Sequence, residues 1–221
     1  MSEAYMKMYP MEAKKKDTSG KGTAVLEIPE FKKSWELYRE TSMDITKRFE
    51  YMAQCLNFTD KDTDAIKESK EIIAANLKAL LDHIYYEKLI KDPWLSKWFR
   101  DEKGNIAEKY VDVRRAKQQK FLLKILECKW DEEFWNHVRW VGAIHVPTFG
   151  LEEMYIPVRL NLALWGYLHQ YLFNLFAEEL KNDPDKLRRI TTAWTKFFWI
   201  FIDMYHIEYF LHIFHGHNLT V

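Results

Sequence analysis

The sequence predicts an all-α protein, and three observations carry that prediction. After Pro29, apolar residues recur at spacings of three, four and seven along nearly the whole chain. The strong breakers, RDEKGN at 100–105 and KNDPD at 181–185, fall between such runs instead of inside them. Only TAVLEI at 23–28 has the composition of a strand. We expect seven or eight helices and find no internal repeat.

Taken in order, residues 1–28 are polar and lysine-rich, with TSGKG as a loop signal, and read as a flexible arm. A single domain is expected over 29–214, followed by a short tail at 215–221. FKKSWELYRETSMDITKRFEYMAQCL sets Trp35, Tyr38, Ile45, Phe49 and Met52 on one helical face. FTDKD opens the next helix, with Thr59 as N-cap and acids in its first turn, and that pattern runs through Ile66, Leu77 and Leu89 to Pro93. A basic amphipathic helix is expected from about Ile106 to Leu126. DEEFWNHVRWVGAIH then begins with acids and carries apolar residues at 134, 138 and 141. Two long patterns, about 152–181 and 184–214, close the chain.

Composition excludes several classes. Lys plus Arg and Asp plus Glu are 33 each among 221 residues, so no general attraction to nucleic acid or anionic lipid is expected. The greasiest run, WTKFFWIFIDMYHIEYFLHIF, is interrupted by Lys196, Asp203, His206 and Glu208, which argues against membrane insertion. The N-terminus lacks the apolar core of a signal peptide, and Cys55 and Cys128 show no metal-ligand spacing, so a reducing cytoplasm is the expected compartment. No phosphate loop, HExxH, CxxC or nucleophile motif is present. His206, His212, His215 and His217 read as a frayed, solvated tail.

His145 stands apart. Val138, Val141 and His145 share a helical face, and Pro147 disfavours helical geometry at Val146, so the helix is expected to end just past the histidine. Gly142, unfavourable inside a helix by about 1 kcal/mol relative to alanine, implies that another part of the chain passes close by. An imidazole on a rigid helix terminus suits an axial ligand to a planar cofactor: neutral, with Nδ1–H donated to the Val141 carbonyl one turn back and Nε2 given to iron. A core histidine satisfied by a neighbour fits the same pattern.

VGAIHVPTFGLEEMYIP at 141–157 resembles the proximal segment of protoglobins and globin-coupled sensors. KRFEYMAQCLNFTDKDTDAIKE, IYYEKLIKDPWLSKWF, AKQQKFLL and AWTKFFWIFIDMYHIEYF resemble four further stretches of that family in the same order, over roughly 45–210. The resemblance implies a globin fold with an extra N-terminal helix before the first globin helix, haem b (iron protoporphyrin IX) as cofactor, and diatomic gases (O2, CO, NO) as ligands. It gives His145 the role of iron ligand. It makes Tyr86, seven residues before Pro93, the distal hydroxyl, with Tyr85, one residue away in helix phase, as runner-up. Phe99 would pack on the porphyrin, Gln118 would sit where relatives carry an apolar or aromatic residue, and Leu122 would lie one turn further on. Val141 and Phe149 flank the ligand, and Tyr167 would be a wall residue.

No output domain follows the last helix in the given sequence, which leads us to expect a stand-alone gas-binding molecule. A haem enzyme detoxifying nitric oxide or peroxide is the second reading, and a cofactor-free helical interaction module the third. The final helices carry many aromatics, among them Trp165, Tyr171, Phe173, Phe176, Trp194, Phe197, Phe198, Trp199 and Phe201, and a homodimer through these two helices is expected to absorb the surplus.

Overall fold

A computed structural model describes residues 44–93, 95–146 and 156–210. The helix expected ahead of the globin helices, with Trp35 and Tyr38, lies outside these residues, as do TAVLEI, Phe149 and His212–His217. Among the described residues there are seven α-helices and no strand.

Helix α1 spans Ile45–Cys55 and starts where Asp44 accepts from the amides of Thr46 and Lys47 at 3.0 and 3.1 Å. It stops at Asn57, whose φ of 55° is the left-handed conformation common just past a helix end. Helix α2, Asp60–Glu68, begins at Thr59 as the sequence predicts, with the Thr59 amide donating to the Asp62 carboxylate at 2.8 Å. The expected continuous run is interrupted at buried Ser69. Its hydroxyl donates to the Ile66 carbonyl at 2.7 Å and accepts from Trp194 Nε1 at 2.9 Å. Helix α3, Lys70–Asp82, then passes into a π-helical segment, His83–Leu89, closed by the Ile90 amide on the Tyr85 carbonyl at 2.9 Å.

A 3-10 turn at Ser96–Phe99 leads into the predicted turn, pinned by an antiparallel bridge between Arg100 and Ile106 and by Gly104 at φ 81°. Helix α4 spans Glu108–Leu126 and α5 spans Glu132–Ala143, the latter capped by Asp131. Helix α6, Val158–Glu179, begins after Pro157, later than the expected 152. Proline supplies no amide hydrogen and disfavours helical geometry in the residue before it. Helix α7, Pro184–Tyr205, has proline in its first turn and Asp183 as N-cap. It is interrupted at His206, helical geometry resumes over 207–210, and the rest of the expected run to 214 lies outside the described residues.

Helix α7 is the centre of the fold and packs on α1, α2, α5 and α6. Its buried residues Ile190, Trp194, Phe197, Phe201 and Met204 form the spine of the core. Ion pairs lock its outer edge. Arg48 meets Asp203 through two contacts of 2.6 Å, Lys196 meets Asp62 at 2.9 Å, and Arg189 meets Glu68 at 3.0 Å. Beyond its end, buried Glu208 accepts from Arg139 on α5. The expectation of a solvated tail therefore fails for His206. It is 1% exposed, with Nδ1 2.7 Å from the Ile202 carbonyl, because the chain folds this turn into the core.

Candidate functional site

Between α4, α5, α6 and the π-helical segment lies a cavity of about 530 Å³, within the roughly 300–1,000 Å³ usual for small-molecule and cofactor sites. Its walls are mostly aliphatic and aromatic, with Ile84, Leu89, Phe99, Phe121, Ile144 and Leu164 among them.

His145 lines this cavity and is 8% exposed. Regular helix ends at Ala143, two residues before it, and the His145 amide turns back to Gly142 at 3.1 Å. That tightening frees the Val141 carbonyl, one of the acceptors a helix end leaves without a partner, and His145 Nδ1 lies 2.7 Å from it. The Tyr205 hydroxyl oxygen is 2.8 Å from the same nitrogen. A carbonyl only accepts, so the proton belongs on Nδ1, with the Tyr205 oxygen as a second acceptor. Nε2 is then the lone-pair nitrogen. Burial pushes the imidazole pKa down to about 4, so the ring is neutral at physiological pH.

Three further hydrogen bonds hold this corner. The Ile156 amide donates to the His145 carbonyl at 3.1 Å, and the Tyr209 hydroxyl, itself receiving a hydrogen bond from Asn161, donates to the Ile156 carbonyl at 2.9 Å. Gly142 is explained by the carbonyl of Tyr205, which a Cβ at position 142 would meet at 1.9 Å. Glycine lets α5 lie against α7 closely enough for Tyr205 to reach His145.

Tyr85 also lines the cavity and Tyr86 does not. Tyr85 is 5% exposed, stands edge-on to Phe99 at 5.9 Å, and burial pushes its hydroxyl up to about 12. Tyr86 lies against Arg115, 3.5 Å from hydroxyl to guanidinium. The π-helical segment is the reason: its wider turn shifts the helical phase, so counting along a regular helix misplaces the two tyrosines.

Phe99, Gln118 and Val141 line the cavity with His145. Leu122 is buried outside it, against a small apolar void shared with α6 and α7. Tyr167 is also outside, stacked on His83 at 5.5 Å with Lys88 over its ring at 4.5 Å. Sequence reasoning did not single out Tyr205 or Asn161 for the site. The spacing of Tyr205 within α7 reads as core, and only the tertiary approach to Gly142 brings it to His145.

Among the described residues no three His, Cys, Asp or Glu side chains converge, so a metal at His145 would need its other ligands from a bound group. A neutral imidazole with Nδ1 engaged, facing a cofactor-sized apolar cavity, fits the ligand set of a haem iron. A helical fold with such a histidine on the wall of a cofactor-sized cavity has the features a globin requires. The chain belongs to the protoglobin family, whose family model matches residues 45–212. Among solved structures it is similar to the globin domain of a globin-coupled sensor from Geobacter sulfurreducens, with a TM-score of 0.60 and 16% identity, over 72% of this chain and 96% of that one. The all-α globin fold expected from the sequence is thus observed, while the extra N-terminal helix lies outside the described residues. No curated protein matches the chain. Among the described residues no helix is long and apolar enough to cross a membrane.

Proposed function

We propose that the protein binds haem b through His145 and takes diatomic gases (O2, CO or NO) reversibly, for sensing, storage or scavenging. One observation carries this reading: both contacts to the imidazole are made at Nδ1, which leaves Nε2 at the wall of an apolar cavity of cofactor size. Membership of a globin family supports the choice of group. Haem held there by His145 would supply an iron able to take a small ligand.

The residues of the chain do the rest. Val141 and Tyr205 orient the imidazole. Tyr85 offers a hydroxyl that stays protonated, since burial raises its pKa, and its donation to a polar guest is worth about 1–2 kcal/mol, roughly tenfold in affinity. Gln118 offers a second polar group on the same cavity. Phe99, Phe121 and Leu164 keep water out. We also propose that the chain pairs with a second copy through α6 and α7.

An optical spectrum before and after reduction and addition of carbon monoxide tests the haem reading. We expect a Soret band, a five-coordinate reduced form and a carbonyl shift. The His145→Gly variant is expected to lose normal ligation and to regain it with added imidazole. A colourless protein after haem supplementation, or an unchanged spectrum in the variant, overturns the reading.

A further inference from the structure

The charged lining of the cavity is one-sided. Arg114, Lys117, Lys120 and Lys124 follow one another at intervals of three, three and four along α4, and among the described residues no Asp or Glu lines the cavity. Lys117 and Lys120 are exposed, and Lys124 reaches Glu133 at 3.9 Å. Arg114 is different. It is half-buried and, among the described residues, makes no ion pair or hydrogen bond. The adjacent Arg115, by contrast, is held by Asp82 at 2.7 Å. Arg114 lines the same cavity as Tyr85, His145 and Tyr205.

A guanidinium partly removed from water without a partner is unfavourable, and its planar fork pairs in bidentate fashion with a planar anionic group such as a carboxylate. An apolar cavity edged by such a residue selects a ligand with a flat apolar body and an anionic rim. We propose that Arg114 is the carboxylate-pairing residue of this cavity, taking an acidic substituent of the bound porphyrin and fixing which edge of the macrocycle faces α4. The assignment rests on the haem reading above.

The test loads the full chain with haem or with haem dimethyl ester, which lacks the free carboxylates, and follows transfer to an excess of apoglobin acceptor. Arg114→Gln is expected to release haem roughly tenfold faster than the parent chain, and Arg114→Lys to fall between them. The dimethyl ester is expected to leave the parent chain and Arg114→Gln at the same rate. Equal release of haem itself overturns the proposal. So does unchanged haem release with weakened azide binding in Arg114→Gln, which would assign the arginine to an anion at the iron. A parent chain without a Soret band sinks the haem reading; a normal band with unchanged release sinks only the role of Arg114. If Arg114→Gln does not fold, the comparison of haem with its ester on the parent chain and on Arg114→Lys decides: an ester released no faster than haem from the parent overturns the proposal.

Discussion

An alanine at position 142 would place its Cβ 1.9 Å from the carbonyl oxygen of Tyr205 and 2.9 Å from the carbonyl carbon. Both atoms are backbone, so relief requires α5 and α7 to move apart instead of a side chain turning away. In an exposed helix, replacing glycine by alanine stabilises by about 1 kcal/mol. Here the sign reverses, and Gly142→Ala is expected to destabilise the fold by about 3 kcal/mol, read as a lower denaturant midpoint at unchanged slope. The same displacement pulls the Tyr205 hydroxyl away from His145 Nδ1. If His145 holds a haem iron, the variant is also expected to shift the iron–histidine vibration downward, since a histidine with one acceptor on its Nδ1–H is a weaker donor than one with two. A variant as stable as the parent would show that the two backbones separate without penalty.

Among the elements, the π-helical segment His83–Leu89 decides which tyrosine faces the cavity. If Tyr85 donates to the bound gas, Tyr85→Phe is expected to speed oxygen release about tenfold. Tyr86→Phe, whose hydroxyl meets Arg115, should leave the rate near that of the parent. Flash photolysis or stopped-flow mixing measures both, and the opposite ranking would return the distal role to Tyr86. Elements whose boundaries rest on local chemistry were legible in the sequence: Thr59 caps α2 as its position suggests, the acids at 131–133 open α5, Gly104 sits in a turn, and Pro184 opens α7. What was not legible depends on partners distant in sequence or on a widened helical turn that no residue type announces. The break at Ser69 is fixed by Trp194, the phase shift at Tyr85 by a bulge with no residue signature, and the second acceptor for His145 by a helix end sixty residues away. The position of His145 and its bond to Val141 needed only i, i+4 spacing and a following proline, and could be read from the sequence.

For the molecule as a whole, the aromatics of the last two helices decide whether an outer face remains to be covered. Trp165, Phe176, Trp194, Phe197, Phe198 and Phe201 are buried in the chain's own core, so they do not argue for a partner. Tyr171 and Phe173 are half-buried, and Phe173 packs on His169 at 4.3 Å. Trp199 on α7 is 56% exposed, and Leu162 on α6 is 43% exposed. A stable interface buries roughly 800 Å² on each partner, several times what one indole offers, so a dimer through this face must recruit the half-buried residues around Trp199 as well. An indole at the centre of such an interface acts as a hot spot, and its loss costs about 2 kcal/mol or more, enough to move the dissociation constant some thirtyfold. Trp199→Ser is therefore expected to turn a dimer into a monomer at micromolar concentration by light scattering. Its optical spectrum should not change, because Trp199 does not line the cavity. A parent chain that is already monomeric at that concentration removes the interface, and an equally dimeric Trp199→Ser moves it off this face of α7.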